Sequence, residues 1–287
     1  MSFVPYAHNN LYTHLPQNKT FCVKNETGKF NFKTSHLRSR EIFASKIENN
    51  KFLVFGDSQI LGIDWDESQK VKHDLERVLK SRLISIFASP NNGPYQSLSQ
   101  ANEIFKKNNF KNLKEIFFSF NFGNDIFRLQ KNWKLKDFVP LKTENLNLIM
   151  ERPFLYDLVI LRGVLSGKYF SINLPDNLDT YNLYKKISQT SKNERVNIWL
   201  DKVKIFKKKV DKTLVLITYP PFWIYDKTGV ILYEDVYLDY LSLIDKIKKG
   251  KIFKKIFIGK THKGVFLTSD KRHFKTGSIL FEISNRS

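Results

Sequence analysis

The stretch Phe52-Leu53-Val54-Phe55-Gly56-Asp57-Ser58-Gln59-Ile60-Leu61-Gly62 constrains this chain more than any other. Four apolar residues suffice for a buried strand, Gly56 breaks it, and an apolar turn follows a serine that stands behind an aspartate. Beyond Asp64-Trp65-Asp66, the residues Val71, Leu75, Val78 and Leu79 fall on one helical face, so a helix is expected over 67–80. Asp66 is placed to accept from the first free N–H groups of that helix, with Gln69 three residues on. Strand, tight turn and helix present the Ser58 hydroxyl at the carboxyl end of a strand. Open α/β sheets hold their ligands there.

The same alternation recurs along the chain. A second strand is expected over 83–88, ending in the turn-rich Ser89-Pro90-Asn91-Asn92-Gly93-Pro94. A helix over 96–107 follows, with Leu98, Ala101, Ile104 and Phe105 on one side, and then a third strand over 115–120. Later come a helix over 197–209, a strand over 213–218 stopped by Pro220-Pro221, a helix through Tyr237, Tyr240, Leu241 and Ile244, and a strand over 255–258. A last helix is expected from about Phe274. Strands alternating with helices argue an α/β class: a three-layer α/β/α sandwich on a five-stranded, mainly parallel sheet. Residues 1–48 read as an N-terminal extension packed on the main domain, with a strand or two. Residues 49–287 form that domain, and 129–195 read as an insertion bordering the site, with an apolar helix-like piece over 154–165.

Composition narrows the partners. Hydrophobic residues make up 41% of the 287, enough for a core, and the formal net charge is +20. Such a charge suits a polyanion, yet the clusters Lys207-Lys208-Lys209, Lys248-Lys249 and Lys254-Lys255 sit at helix ends or before a strand, as on a solvated face. No nucleic-acid motif accompanies them, which argues against nucleic acid as partner. The single cysteine, Cys22, excludes an internal disulfide framework and a cysteine-based zinc site. No signal peptide or membrane-spanning run is visible, so a soluble cytoplasmic protein is expected. His8, His14 and His36 fall in the irregular N-terminal part, His73 on a helix's polar side and His262 in a polar loop; no pair has metal-ligand spacing, and no metal site is expected.

Two features bear on Ser58. Asp270-Lys271-Arg272-His273 sets an acid three residues before an imidazole, a spacing that lets a carboxylate reach Nδ1 while Nε2 faces outward. Gly123-Asn124-Asp125 stands just past the third strand, where an asparagine amide can donate to an oxyanion. Taken singly, these are a helix-capping serine, an exposed ion pair and a turn residue. Their order and their placement at strand ends are what set them apart.

With these blocks in hand, the chain resembles the SGNH hydrolases, also called GDSL esterases or lipases. The resemblance rests on Gly56-Asp57-Ser58, on Gly93 after the second strand, on Gly123-Asn124-Asp125 and on Asp270-Lys271-Arg272-His273 followed by Phe274 and Gly277. It runs from about Phe52 to Ile283, and the stretch 34–41 with Arg38 is similar to the segment preceding the domain in bacterial members. Gln59 replaces the usual leucine after the serine, and Phe122 replaces the first glycine of the third block. The resemblance implies Ser58 as nucleophile, His273 as general base and Asp270 as its orienting acid. The oxyanion donors would be the Ser58 N–H, the Gly93 N–H and the Asn124 side chain, with no metal or organic cofactor. The implied reaction is hydrolysis of an O-acyl ester, most plausibly acetyl on carbohydrate. A carbohydrate O-acetyltransferase using the same site, and a non-catalytic polyanion binder on the same scaffold, are the alternatives.

Overall fold

The computed structural model describes residues 7–25, 28–41, 49–61, 80–81, 84–129, 158, 177–226, 229–261 and 279–285. Its centre is a set of parallel strands: β6 (Phe52–Gly56), β7 (Ile84–Ala88), β8 (Glu115–Asn121), β9 (Thr213–Tyr219) and β10 (Lys255–Thr261). They lie side by side in the order β7-β6-β8-β9-β10. Every residue of β6 and β7 is buried, and strands covered on both faces accordingly read as near-continuous apolar runs rather than as alternation, with Ser85 the polar exception. Alternation instead sorts side chains between two cores. Leu53 and Phe55 join Phe87, Phe118 and Leu216 on one face, while Phe52 and Val54 join Ile86, Phe117 and Val215 on the other. On the first face the Phe55 ring stacks on Phe87 and on Phe118, with centroids 5.2 and 5.6 Å apart.

Among the described residues that first face is covered mainly by α2 (Pro94–Lys107), α5 (Gln189–Val210) and α6 (Glu234–Lys249). Between β6 and α2 lies the short α1 (Ser58–Leu61), and between β8 and α5 lie α3 (Phe122–Arg128) and α4 (Asn177–Lys185). Helix α5 begins at Ser188, whose hydroxyl accepts from the Ser191 N–H at 3.2 Å, and ends at Asp211 in a left-handed conformation. Its buried stripe is Val196, Trp199, Leu200, Val203 and Phe206. On the opposite face Ile60 and Leu61 of α1 pack with Leu15 and Phe32. The helix expected over 67–80 and most of the 154–165 piece lie outside the described residues.

This is an α/β fold: a parallel sheet of five strands with flanking helices. Among the described residues the sheet is wider, nine strands in all, with three strands added beyond β7 and one beyond β10. Strands β3 (Thr20–Asn25), β4 (Gly28–Thr34) and β5 (Arg40–Glu41) extend one edge antiparallel, and β5 joins the parallel set through β7. At the other edge, residues 279–285 contradict the expected C-terminal helix. They form strand β11 (Ile279–Asn285), antiparallel to β10 from Thr261↔Ile279 to Lys255↔Asn285. The run Ile279-Leu280-Phe281-Glu282-Ile283 is rich in strand-favouring side chains, and a complete ladder with β10 outweighs its weak helical spacing. A separate hairpin, β1 (Ala7–His8) and β2 (Thr13–His14), completes the described N-terminal part.

Candidate active site

Counted along the chain, the parallel strands stand in the order 2-1-3-4-5. The order reverses between the first strand, β6, and the third, β8, and the crevice outside their carboxyl ends is where such sheets take ligands. Ser58 stands there. It is the first residue of α1, half-buried, directly beyond β6. The turn into α1 is closed by the Leu61 N–H donating to the Asp57 carbonyl at 3.0 Å. Gly56 makes this turn sterically feasible: a Cβ there would sit 2.6 Å from Ile60 Cγ1 and collide with Ser119 Oγ.

Neighbouring strand ends bring up two more of the expected residues. Gly56 pairs with Ala88 across β6 and β7, and the Ser89 N–H donates to the Gly56 carbonyl at 3.3 Å, so the loop 89–93 begins beside the serine turn. Gly93 caps α2: its carbonyl accepts from the Ser97 N–H at 2.9 Å. Its own N–H, expected to face an oxyanion, donates instead to Gln96 Oε1 at 3.2 Å. Asn124 lies in the first turn of α3, half-buried, with no side-chain hydrogen bond among the described residues. Asp270 and His273 lie outside the described residues. The segment that holds them is bounded by Thr261 and Ile279, which pair with each other at the carboxyl end of β10.

Beneath the three loops lies a charged cluster. Asp57 and Asp125 are both buried, and Arg128 Nη1 stands 3.7 Å from Asp57 Oδ2 and 3.6 Å from Asp125 Oδ1. Asn121 donates twice, from Nδ2 to Asp57 Oδ2 at 3.3 Å and from its backbone N–H to Asp125 Oδ2 at 2.7 Å. Burial, and then the Asp57 carboxylate beside it, push the Asp125 carboxyl well above the usual carboxylate range, with Arg128 and the Asn121 N–H acting against them. In the sequence Asp125 stands only as part of the Gly123-Asn124-Asp125 block, and Arg128 belongs to no motif. The available signal was their i,i+3 spacing on a helix, which places an acid and a base side by side.

This pair has a pH consequence. A carboxyl whose folded pKa is raised takes up protons more readily folded than unfolded, so its contribution to stability falls as pH rises from about 4 towards the folded pKa. Asp125→Asn keeps an acceptor for the Asn121 N–H and cannot ionise. Urea unfolding between pH 4 and pH 8 should show the variant gaining stability relative to wild type as pH rises. A difference independent of pH would show that folding does not raise the Asp125 pKa.

The N-terminal hairpin reaches the same edge. Asn92 Oδ1 accepts from the Thr13 N–H and hydroxyl, each at 2.8 Å, and its Nδ2 donates to the Thr13 carbonyl at 3.1 Å. His8 and His14, expected in irregular chain, are buried in β1 and β2. Burial and the adjacent Arg38 push the His14 imidazole down to about 4.

The fold and this edge define an α/β protein with a serine turn, a glycine-capped helix and an asparagine-bearing helix at adjoining ends of a parallel sheet. No protein-family model matches the chain, and no curated protein matches it. A solved structure similar to it is the lipase Lip_vut3 from goat rumen metagenome, at 16% identity and a TM-score of 0.40, over 78% of this chain and 90% of that one. Neither reaction nor substrate transfers to this chain at that level. Among the described residues no helix is long and apolar enough to cross a membrane.

Proposed function

We propose that this chain is a serine ester hydrolase working through an acyl-enzyme, with O-acyl groups on carbohydrate, acetyl first, as its substrates. The observation that supports this reading most is the position of Ser58, at the reversal of strand order with the Gly93 and Asn124 segments at the adjoining strand ends. In this reading Ser58 Oγ attacks the ester carbonyl carbon while His273 takes its proton and Asp270 orients the imidazole. The C–O bond to the sugar breaks, and His273 returns the proton to the departing oxygen. Water then repeats the sequence on the acyl-enzyme, releasing the acid and restoring Ser58.

The Ser58 N–H and the Asn124 amide serve as donors to the tetrahedral oxyanion. The Gly93 N–H joins them by exchanging Gln96 Oε1 for the oxyanion. Reach permits His273 to take part. Three strand spacings separate β10 from β6, about 14 Å at roughly 4.8 Å each. An extended chain covers about 3.3 Å per residue, so the residues between Thr261 and His273 more than span it.

The test is to offer wild-type protein p-nitrophenyl acetate and acetylated oligosaccharides, and to follow fluorophosphonate labelling by intact mass. Release of acetate, with one label per chain, is expected. Acetate appearing only on an added sugar acceptor would make the protein a transferase. Neither turnover nor label from folded protein would overturn the reading, and retention on a polyanion column would then favour a binder.

A further inference from the structure

Arg128 joins its own helix, α3, to the two neighbouring loops of this edge, and no function of the motifs accounts for it. Its Nη1 donates to the Asn92 carbonyl at 3.2 Å while facing Asp57 and Asp125. Asp57 precedes the serine, Asn92 precedes Gly93, and Asp125 follows Asn124. Neutralising two buried carboxylates would explain the last two contacts but not the first, which runs to an uncharged carbonyl on another loop. The packing agrees. A Cβ added to Gly93 would lie 3.1 Å from Arg128 Cβ and Cδ, so the guanidinium arm lies directly against that residue. Asn92 cannot drift to accommodate it, since its side chain is held by Thr13.

We infer that Arg128 is a positioning residue that sets the spacing of the Ser58, Gly93 and Asn124 segments. The inference deepens the reading of the site as an ester hydrolase and rests on it for its catalytic consequence. All three contacts converge on Nη1, whose N–H directions are fixed by the rigid guanidinium plane, whereas an ammonium is a flexible point charge. Because donors must sit within hydrogen-bond distance of the developing oxyanion, a shift of about 1 Å between loops costs on the order of 10²-fold in rate.

The experiment compares wild type, Arg128→Lys and Arg128→Met in two measurements: steady-state hydrolysis of p-nitrophenyl acetate, and amide hydrogen exchange over 57–61 and 89–93. Arg128→Met should lower kcat by about 10- to 100-fold with KM within about twofold, and Arg128→Lys should recover part of kcat, a split that general destabilisation would not produce. Exchange in both segments should rise in Arg128→Met. Should that variant fail to fold, Arg128→Lys carries both readouts, with smaller changes in the same directions. Unchanged exchange in both segments, or a folded variant with wild-type kcat, overturns the inference. An inert, unlabelled wild type together with raised exchange supports the positioning role and sinks the hydrolase reading alone.

Discussion

Ser58→Ala is expected to abolish fluorophosphonate labelling and to lower ester hydrolysis by at least about 10³-fold. The serine is proposed to supply the bond-forming oxygen; what remains without it is whatever the oxyanion donors and binding contribute. Loss of fold cannot account for such a fall. Ser58 is half-buried, and the backbone bond from the Leu61 N–H to the Asp57 carbonyl that closes the turn is kept in the variant. The variant should therefore unfold within roughly 1 kcal/mol of wild type. Labelling that persists in Ser58→Ala would place the reactive hydroxyl elsewhere and remove the central assignment.

Trp199→Ala carries the largest expected effect on stability. The indole is fully buried on α5, with centroids 5.3 Å from Phe120 of β8 and 6.0 Å from Phe253. It pins the helix to the strand whose end leads into α3. Truncation removes the buried area and leaves a cavity ringed by stiff aromatic neighbours, at a cost of about 3–5 kcal/mol. For a chain of this size each kcal/mol lowers Tm by roughly 2–4 °C. Trp199→Phe should fall in between, because Nε1 has no hydrogen-bond partner among the described residues and only volume is lost. A thermal melt of both variants decides it: a fall under about 1 kcal/mol for alanine would mean that α5 docks by other contacts.

The parts of the fold that were legible in the sequence are those where burial leaves little choice. Strands β6, β8 and β9 are covered on both faces and read as near-continuous apolar runs, and the helix stripe through Trp199, Val203 and Phe206 repeats at helical spacing. Strands β1, β2 and β5 are two residues each, too short for any period to show. Strand β4 alternates lysine and asparagine with phenylalanine, a pattern that needed its partners before it could be read as a sheet edge. At the site, glycine, serine and asparagine could be picked out because turns and motifs name them. The bond from Gly93 to Gln96 and the sharing of Arg128 between two acids depend on how loops meet, and no local pattern encodes that.

The crossover from β8 to β9 has an evolutionary consequence. The two strands pair from Glu115↔Thr213 to Asn121↔Tyr219, so a long stretch of chain leaves and re-enters the sheet between adjacent strands. Closing such a loop costs entropy only as the logarithm of its length, about 0.6 kcal/mol for each doubling. The ladder itself is indifferent to how much chain is inserted. Provided α3 and the buried stripe of α5 are kept, lineages can therefore change the length of chain between these two helices with little penalty to the scaffold. Its first residues are α3, with Asn124 and Arg128. Divergence is cheapest in the chain that follows α3, where length can change while the sheet and the edge that carries Ser58 stay as they are.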